Sequence, residues 1–487
     1  MDYTGKEFYD RYIELNFLKE KYDNLQKAEF GVLYGRRRMG KSELLKKFIR
    51  KIKKNKIYVT IVDSNKKDLM NTLSKKIEET FKETIKIDNW SDFFDFIAEK
   101  SKEEKILLII DEFQRVDSFA KDFIYSLQNY WDEILKKRKI MIVICGSSMS
   151  MMNKIALEEK GPLYGRKTFE YCLKQFKYVD FREMFKELSE EEKIRLFSVF
   201  GGTPKYLSDF KSLNKNLFEG FYKLVLSETS PLFDEPINAL KFELKNPERY
   251  ISILRAISLG QEMSNEIASS IGLDSFEISA YLKNLLELLD IIDANDPLFG
   301  KKRMKRYRIK DNFFKFWYKF VYPYREQISL GNTSSIEKRI EKEFDTYCGK
   351  IFEDIIKEFF IFMNGKKIKN KKIEFTECGK WWEDGEDIDL VLKERSKTVF
   401  IETRFRKEKV GSKCFEELKE KSKKTSATGR FEYILVSKSG FEQELIDRKI
   451  PNLTLLNLED LTKIMDDETK RETEKQVDLR KWFDISS

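Results

Sequence analysis

The sequence has no histidine, and that absence removes whole classes of chemistry. Ser-His-Asp hydrolases, Cys-His proteases, nucleases with a histidine base and most zinc enzymes all need an imidazole. Carboxylates, lysine, arginine, hydroxyls and bound metal remain. Cysteine is scarce as well. The five residues Cys145, Cys172, Cys348, Cys378 and Cys414 are scattered and form no CxxC pair. Reduced thiols are therefore expected, not a disulfide framework or a zinc site. No apolar run reaches the roughly 18 residues of a membrane-spanning helix, so neither such a helix nor a membrane partner is expected. The opening MDYTGKEFYD lacks the basic-then-apolar order of a signal peptide, and a cytoplasmic location is expected. There is no internal repeat and no low-complexity linker.

What is present suits a soluble globular chain: 487 residues, 41% hydrophobic and 36% charged, enough for roughly three domains. The net charge of +9 fits either a lysine-rich bias or a nucleic-acid partner, so the distribution of charge must decide. Short apolar runs at 30–34, 57–62, 106–110, 140–145 and 168–173 alternate with longer stretches of helical spacing. That pattern predicts an α/β fold with a mostly parallel sheet covered on both faces. From 176 to 245 the pattern is helical. Residues 248–325 read as three helices followed by a basic hairpin. After Gly331-Asn332-Thr333 a new unit is expected, with a helix over 336–363 and strands at 373–378, 387–392 and 398–403. A helix, a strand at 431–436, another helix and a last strand near 453–456 follow. A charged tail, 466–487, closes the chain.

Gly35-Arg36-Arg37-Arg38-Met39-Gly40-Lys41-Ser42 fits GxxxxGK followed by Ser or Thr, between an expected strand and a helix. Glycines let the backbone curl so that its N–H groups, with the helix N-terminus, cradle phosphates. Lys41 would reach the β and γ phosphates of ATP, and Ser42, followed by Glu43, would hold Mg²⁺. Residues 106–112, ILLIIDE, form an apolar strand ending in two carboxylates. Asp111 would bind Mg²⁺ through water, and Glu112 would polarise the attacking water. The strand 140–145 runs into Gly146-Ser147-Ser148, where Ser147 could sense the γ phosphate.

The first 325 residues resemble the archaeal-type ATPase family, a STAND and AAA+-like branch of the P-loop NTPases. The stretches that carry the likeness are the opening F-x-x-R-x-x-E-L from Phe8, GRRRMGKSEL, IIDEFQ, ICGSSMSMM, PLYGRK and FGGTPKYL. The resemblance implies that the opening segment lies near the adenine. It also implies that Gly202-Thr203-Pro204 packs a helical lid over the nucleotide. Arg166 would approach phosphates in the same chain or from a neighbouring subunit; a surface salt bridge is the alternative.

Residues 246–330 read as a winged helix-turn-helix. Its second helix, 275–289, carries Ile278, Leu282, Leu285 and Leu289 on a buried stripe. Its exposed positions are Glu277, Glu287 and Asp290 against one lysine, Lys283, a poor charge pattern for a major groove. The wing, Lys301 to Lys310, has seven basic residues and no acid. It suits phosphate or minor-groove contact, or docking on an acidic part of the same protein. The aromatics of 311–318 are expected to pack in the core.

The order helix, three strands, helix, strand in 336–465 resembles the PD-(D/E)xK nuclease superfamily. That likeness implies a metal held by Asp389 and Glu402, with Glu353 auxiliary and Asp387 on the strand face of Asp389. Lysines in 366–372 and at Lys407, Lys409, Lys413, Lys419 and Lys421 would hold a nucleic-acid backbone. Arg404 stands where the superfamily has lysine, and a guanidinium does not replace an ammonium. Trp381-Trp382 either packs the sheet edge or stacks a base.

The expected architecture is thus a P-loop core (1–175), a helical lid (176–245), a winged helix-turn-helix and a C-terminal α/β restriction-endonuclease-like domain. The expected function couples ATP hydrolysis to DNA, more than RNA, through a metal-dependent nuclease-like domain, in defence or mobile-element maintenance. The alternative is an ATP-driven regulatory switch that binds nucleic acid or a protein partner without cutting. Homo-oligomerisation is open in both.

Overall fold

The computed structural model describes residues 11–274, 276–300 and 304–475. Phe8 of the opening motif, Ser275, the wing residues Lys301, Lys302 and Arg303, and the tail after Lys475 lie outside the described residues. The chain divides into two compact units, whose described parts are 11–175 and 176–475.

The first unit is built on β1 (Glu29–Tyr34), β2 (Lys56–Thr60), β3 (Ile106–Asp111), β4 (Ile140–Gly146) and β5 (Phe169–Cys172). All neighbours are parallel, in the order β2-β3-β4-β1-β5. Every residue of β3 and β4 is buried, because helices cover both faces; such strands read as apolar runs instead of alternations. The two-residue period then sends side chains to two cores. Phe30, Val32, Leu108, Ile110 and Ile142 pack with the helices Lys66–Phe81, Trp90–Lys100 and Lys121–Glu133. Leu33, Leu107, Ile109, Met141 and Val143 face α1 (Tyr12–Asp23) and α2 (Lys41–Arg50). In sequence β2 falls between the glycine-rich loop and the carboxylates, but in the sheet it is an edge strand, as β5 is at the other side. β4 is the strand that separates β1 from β3. The segments after β1, β3 and β4 therefore gather at one edge of the sheet, at the C-terminal ends of adjacent parallel strands, where open α/β sheets bind ligands.

The second unit opens with the helices Tyr178–Met184, Glu190–Phe200, Pro204–Leu213, Leu217–Val225 and Glu235–Glu243. Three more, Glu248–Ser258, Ser264–Ile271 and Glu277–Lys283, precede an antiparallel pair, β6 (Ile292–Asn295) and β7 (Arg306–Ile309). The last helix continues through a π turn, Asn284–Leu288, and Ile278, Leu282, Leu285 and Leu289 are all buried. The aromatic segment is core: Phe313, Phe314, Phe316, Trp317 and Tyr318 are buried, and Trp317 Nε1 donates to Phe233 O at 2.6 Å.

The helix Ser334–Phe362 buries Phe344, Cys348, Ile351, Ile355 and Phe359, with Phe344 among the rings of Phe218, Phe221 and Phe316. The strand expected at 373–378 is displaced. The chain first makes a two-residue ladder, β8 (Lys367–Ile368) with β9 (Lys371–Lys372), and the long strand begins later as β10 (Glu377–Glu383). Asp384-Gly385, at φ 48° and 83°, turns it tightly into β11 (Glu386–Lys393), the backbone that a type I′ turn demands. β12 (Lys397–Arg404), β13 (Arg430–Ser437) and β14 (Leu453–Asn457) complete the order β10-β11-β12-β13-β14. The first two pairings are antiparallel and the last two parallel, across the helix Ser412–Lys424. The charged tail expected from 466 begins as a continuation of the helix Leu458–Lys475.

Candidate nucleotide site and carboxylate cluster

The loop after β1 is shaped by two glycines. Gly35 has φ 145°, and a Cβ there would stand 2.4 Å from Leu173 O; Gly40, at φ 84°, precedes the first turn of α2. Lys41 is buried, and its Nζ donates to Gly35 O at 2.7 Å and Arg36 O at 2.8 Å. Burial pulls this ammonium below its ordinary pKa, so an arriving polyphosphate would meet a desolvated cation already folded against the loop. Met39 is buried, and Arg38 takes a left-handed backbone at φ 70°. Arg37 is exposed, and so is Glu43, which pairs with Lys46 at 3.1 Å.

Ser42 Oγ donates to Asp111 Oδ2 at 2.6 Å, across the width of β4. Tyr58, on the edge strand, donates its hydroxyl to the same oxygen at 2.7 Å, and Asp111 Oδ1 accepts the N–H of Glu112. Burial, then the charge of Asp111, holds the Tyr58 phenol well above its usual pKa, so it remains a donor. The hard hydroxyl and carboxylate oxygens of Ser42 and Asp111, beside a cradle that a Cβ would fill, fit Mg²⁺ and a polyphosphate. Glu112 sits in the left-handed region at φ 56°, a strain of about 1–3 kcal/mol that lets β3 turn at once into Phe113–Arg115. Its carboxylate accepts from Ser147 Oγ at 3.1 Å and Gln114 Nε2 at 2.8 Å. The predicted Lys41, Ser42, Asp111, Glu112 and Ser147 thus converge.

Arg166 is not brought to this loop. Thr168 N–H donates to Phe30 O at the start of β1, so Arg166 precedes β5 at the end of the sheet opposite Gly35. Its guanidinium holds Asp132 at 2.8 Å. A strand of 6 residues separates it from the loop by roughly 20 Å, beyond the reach of one side chain. Pro204 opens the helix Pro204–Leu213 of the second unit.

Sequence reasoning missed Tyr58, Gln114 and the role of Arg11. Tyr58 in an apolar strand reads as core. Arg11 was legible as a motif letter but not as a support for the loop. It is buried, and its guanidinium donates to Met39 O at 3.3 Å and Lys174 O at 2.6 Å, while pairing with Glu14 at 2.9 Å. Arg11→Ala should raise the KM for ATP roughly tenfold, the loss of a charge-assisted hydrogen bond, with kcat changed by less than about twofold. Steady-state hydrolysis would check this; an unchanged KM would contradict it.

In the second unit, the register that pairs Leu390 with Ile401 carries Asp389 to the level of Glu402. Asp389 Oδ2 accepts from Thr403 N at 2.8 Å and Thr403 Oγ1 at 2.9 Å. Arg404 donates to Glu402 Oε1 at 2.7 Å and stands 3.9 Å from Asp389 Oδ2, with Lys421 at 3.5 Å from Glu402. Glu353 pairs instead with Lys380, and burial pushes its carboxyl up to about 7. Burial, then Asp389, raises Glu402 as well. Asp387 is exposed. Among the described residues no group of three carboxylate, thiol or imidazole side chains is arranged to hold a metal. Of the expected Glu353, Asp389 and Glu402, the last two stand level on adjacent strands, while Glu353 is held by Lys380; Arg404 and Lys421 both reach Glu402 Oε1. Beside it lies a cleft of about 490 Å³ lined by Lys350, Glu353, Arg404, Arg406 and Lys407.

Several basic side chains are engaged within the second unit. Arg308 and Arg306 pair with Glu262 at 2.9 and 3.7 Å, and Lys310 pairs with Asp290. Arg306 also lies 4.8 Å over the Trp382 ring, whose Nε1 donates to Met304 O at 3.0 Å. Lys366 holds Glu472 at 2.9 Å, Lys369 holds Asp460 at 3.2 Å, and Lys283 pairs with Glu287 on its own helix at 3.9 Å. Among the described residues no helix is long and apolar enough to cross a membrane.

With this geometry in hand, comparison with known proteins is direct. Residues 8–210 match a family described as an ATPase domain predominantly from Archaea, and residues 317–424 match one described as archaeal and bacterial proteins of unknown function. The chain is 33% identical over 422 residues to an uncharacterised protein of Methanocaldococcus jannaschii, covering 85% of this chain and 92% of that protein. It is 49% identical over 53 residues to a short ATP-binding protein of the same organism, covering 10% of this chain and 88% of the other. Among solved structures, a Walker-type ATPase of Pyrococcus abyssi superposes with a TM-score of 0.50 at 20% identity, covering 64% of this chain and 96% of its own, a likeness of fold. The assembled loop, the two carboxylates after β3 and the full-length relative lead to one conclusion: the chain belongs to the family of archaeal P-loop ATPases.

Proposed function

We propose that the chain is an ATP-driven switch, in which turnover in the first unit governs what the second unit can bind. The N–H groups of 35–40 and the N-terminus of α2 would cradle the phosphates, and Lys41 would leave the loop carbonyls for the β and γ phosphates. Ser42 and Asp111 would hold Mg²⁺, which supplies charge neutralisation at the phosphates when bound. Glu112 would take the proton of the attacking water, and Ser147, already on its carboxylate, would orient it. Arg166, at the far end of its own sheet, fits a contact to the nucleotide of another copy, so a homo-oligomer goes with this reading.

The observation that carries the switch is the spent hairpin. β7 of the winged helix-turn-helix, the basic element suited to nucleic acid, has its arginines on Glu262 and Trp382. An acidic second helix and a β7 whose arginines are engaged describe a closed form that must open before β7 can touch phosphates. Trp382→Ala should free the wing and raise affinity for duplex DNA several-fold, with a steeper salt dependence, in a filter or anisotropy titration. Small-angle scattering with and without a non-hydrolysable ATP analogue tests the switch itself. Different profiles are expected; superimposable ones would contradict it.

A nuclease is the second reading, favoured by one observation: Glu402 Oε2 is buried and has no hydrogen-bond partner among the described residues. The switch predicts no cleavage of labelled DNA or RNA in Mg²⁺ or Mn²⁺. The nuclease predicts cleavage that Asp389→Ala abolishes.

A further inference from the structure

Two residues outside every motif discussed above stand against the catalytic glutamate. Arg115 lies at the end of the short turn after β3, and Asp63 in the loop after β2. Arg115 Nη1 holds Asp63 Oδ2 at 2.5 Å, while its Nε reaches Glu112 Oε2 only at 3.5 Å, the outer limit of a hydrogen bond. One guanidinium is therefore contested by two carboxylates, and Asp63 has the better geometry.

Asp63 is well placed to win. Two residues before it, Ile61 N–H donates to Asp111 O at 2.8 Å. Two residues after it, the Asn65 side chain caps the helix Lys66–Phe81, accepting from Asp68 N at 3.0 Å. The loop is thus tied on one side to the Mg²⁺ aspartate and on the other to a helix. Glu112 meanwhile accepts from two neutral donors, the Ser147 hydroxyl and the Gln114 amide. Those donors can steer a carboxylate without neutralising it. A fully engaged guanidinium would neutralise it and occupy the lone pair that must receive a proton.

We infer that Asp63 and Arg115 are a positioning pair for hydrolysis, in which Asp63 draws the Arg115 guanidinium off Glu112 and keeps that carboxylate available as the base. Neither residue touches substrate; both act through Glu112. The inference rests on Glu112 being the base of the proposed ATPase reaction, and Glu112→Gln tests that premise separately.

Asp63 is 77% exposed and Arg115 30% exposed, so their substitution leaves the core of the first unit intact. Asp63→Asn hands Arg115 to Glu112. The expected result is a kcat lowered roughly two- to fivefold, the size of a partly exposed ion pair, with KM for ATP unchanged. Adding Arg115→Ala to Asp63→Asn removes the competing guanidinium, and kcat returns to the wild-type level or above. A merely structural role predicts the opposite, a double variant at least as slow as Asp63→Asn. Asp63→Asn at the wild-type rate, or a double variant that stays slow, overturns the proposal. If Glu112→Gln keeps full activity, it is the premise that fails, whatever the two Asp63 variants do.

Discussion

Glu112→Gln should lose hydrolysis by roughly a hundred- to ten-thousandfold while still binding ATP, because general-base catalysis is worth about that much and the phosphate cradle is untouched. Glutamine keeps the shape of the side chain and one acceptor oxygen for Ser147 and Gln114, the donors that hold Glu112 at 3.1 and 2.8 Å. It cannot accept the proton of the attacking water. The strained backbone at residue 112, φ 56°, is the same for both side chains, so the turn after β3 should persist. Nucleotide titration beside a turnover assay separates the two effects. A variant with more than about a tenth of the wild-type rate would mean that another group takes the proton.

The second large effect is on stability and lies in the second unit. Arg182 and Glu190 are only 5% and 6% exposed, and they meet at 2.8 Å. Tyr178 donates its hydroxyl to Glu190 at 2.8 Å, and Arg182 also reaches Asp466 at 2.9 Å. Arg182 thereby ties three helices, Tyr178–Met184 and Glu190–Phe200 through the buried pair and Leu458–Lys475 through the half-exposed Asp466. Glu190→Ala leaves a guanidinium and a phenol buried without their main acceptor, which should cost about 3–5 kcal/mol. Replacing both members, Arg182→Leu with Glu190→Leu, removes the stranded charge and should recover most of that loss, because a buried pair adds little over well-packed apolar side chains. Denaturant unfolding of the two variants measures both numbers. Equal destabilisation of the single and double variants would show that the helices depend on the pair's geometry and not on its charge balance.

Legibility from sequence followed the physics of each element. Buried parallel strands are apolar runs with few alternatives, so β1, β3, β4 and β5 fall within a residue or so of expectation. β10 begins later than expected because Ile373 pairs with Lys366 beside the β8–β9 ladder, and the chain joins β11 only from Thr376-Glu377, in the register that the tight turn at Asp384-Gly385 sets. Lys41, Ser42, Asp111, Glu112 and Ser147 converge because a parallel sheet gathers its strand ends, and a motif names its own strand end. Arg166 could not be placed that way. Its position depends on the register of β5 against β1, through Thr168 and Phe30, which no local pattern encodes. The partners of β7, Glu262 and Trp382, are likewise far from it in sequence, whereas Arg404, two residues from Glu402 on one strand, was legible beside the carboxylates.

The loop 35–42 should bind and hydrolyse ATP through its buried Lys41. Hydrolysis of ATP by the purified wild-type chain in Mg²⁺, measured beside Lys41→Ala, tests it most directly. The account predicts turnover by the wild type and its loss in the variant, with nucleotide affinity reduced. Equal turnover in the two proteins would contradict it.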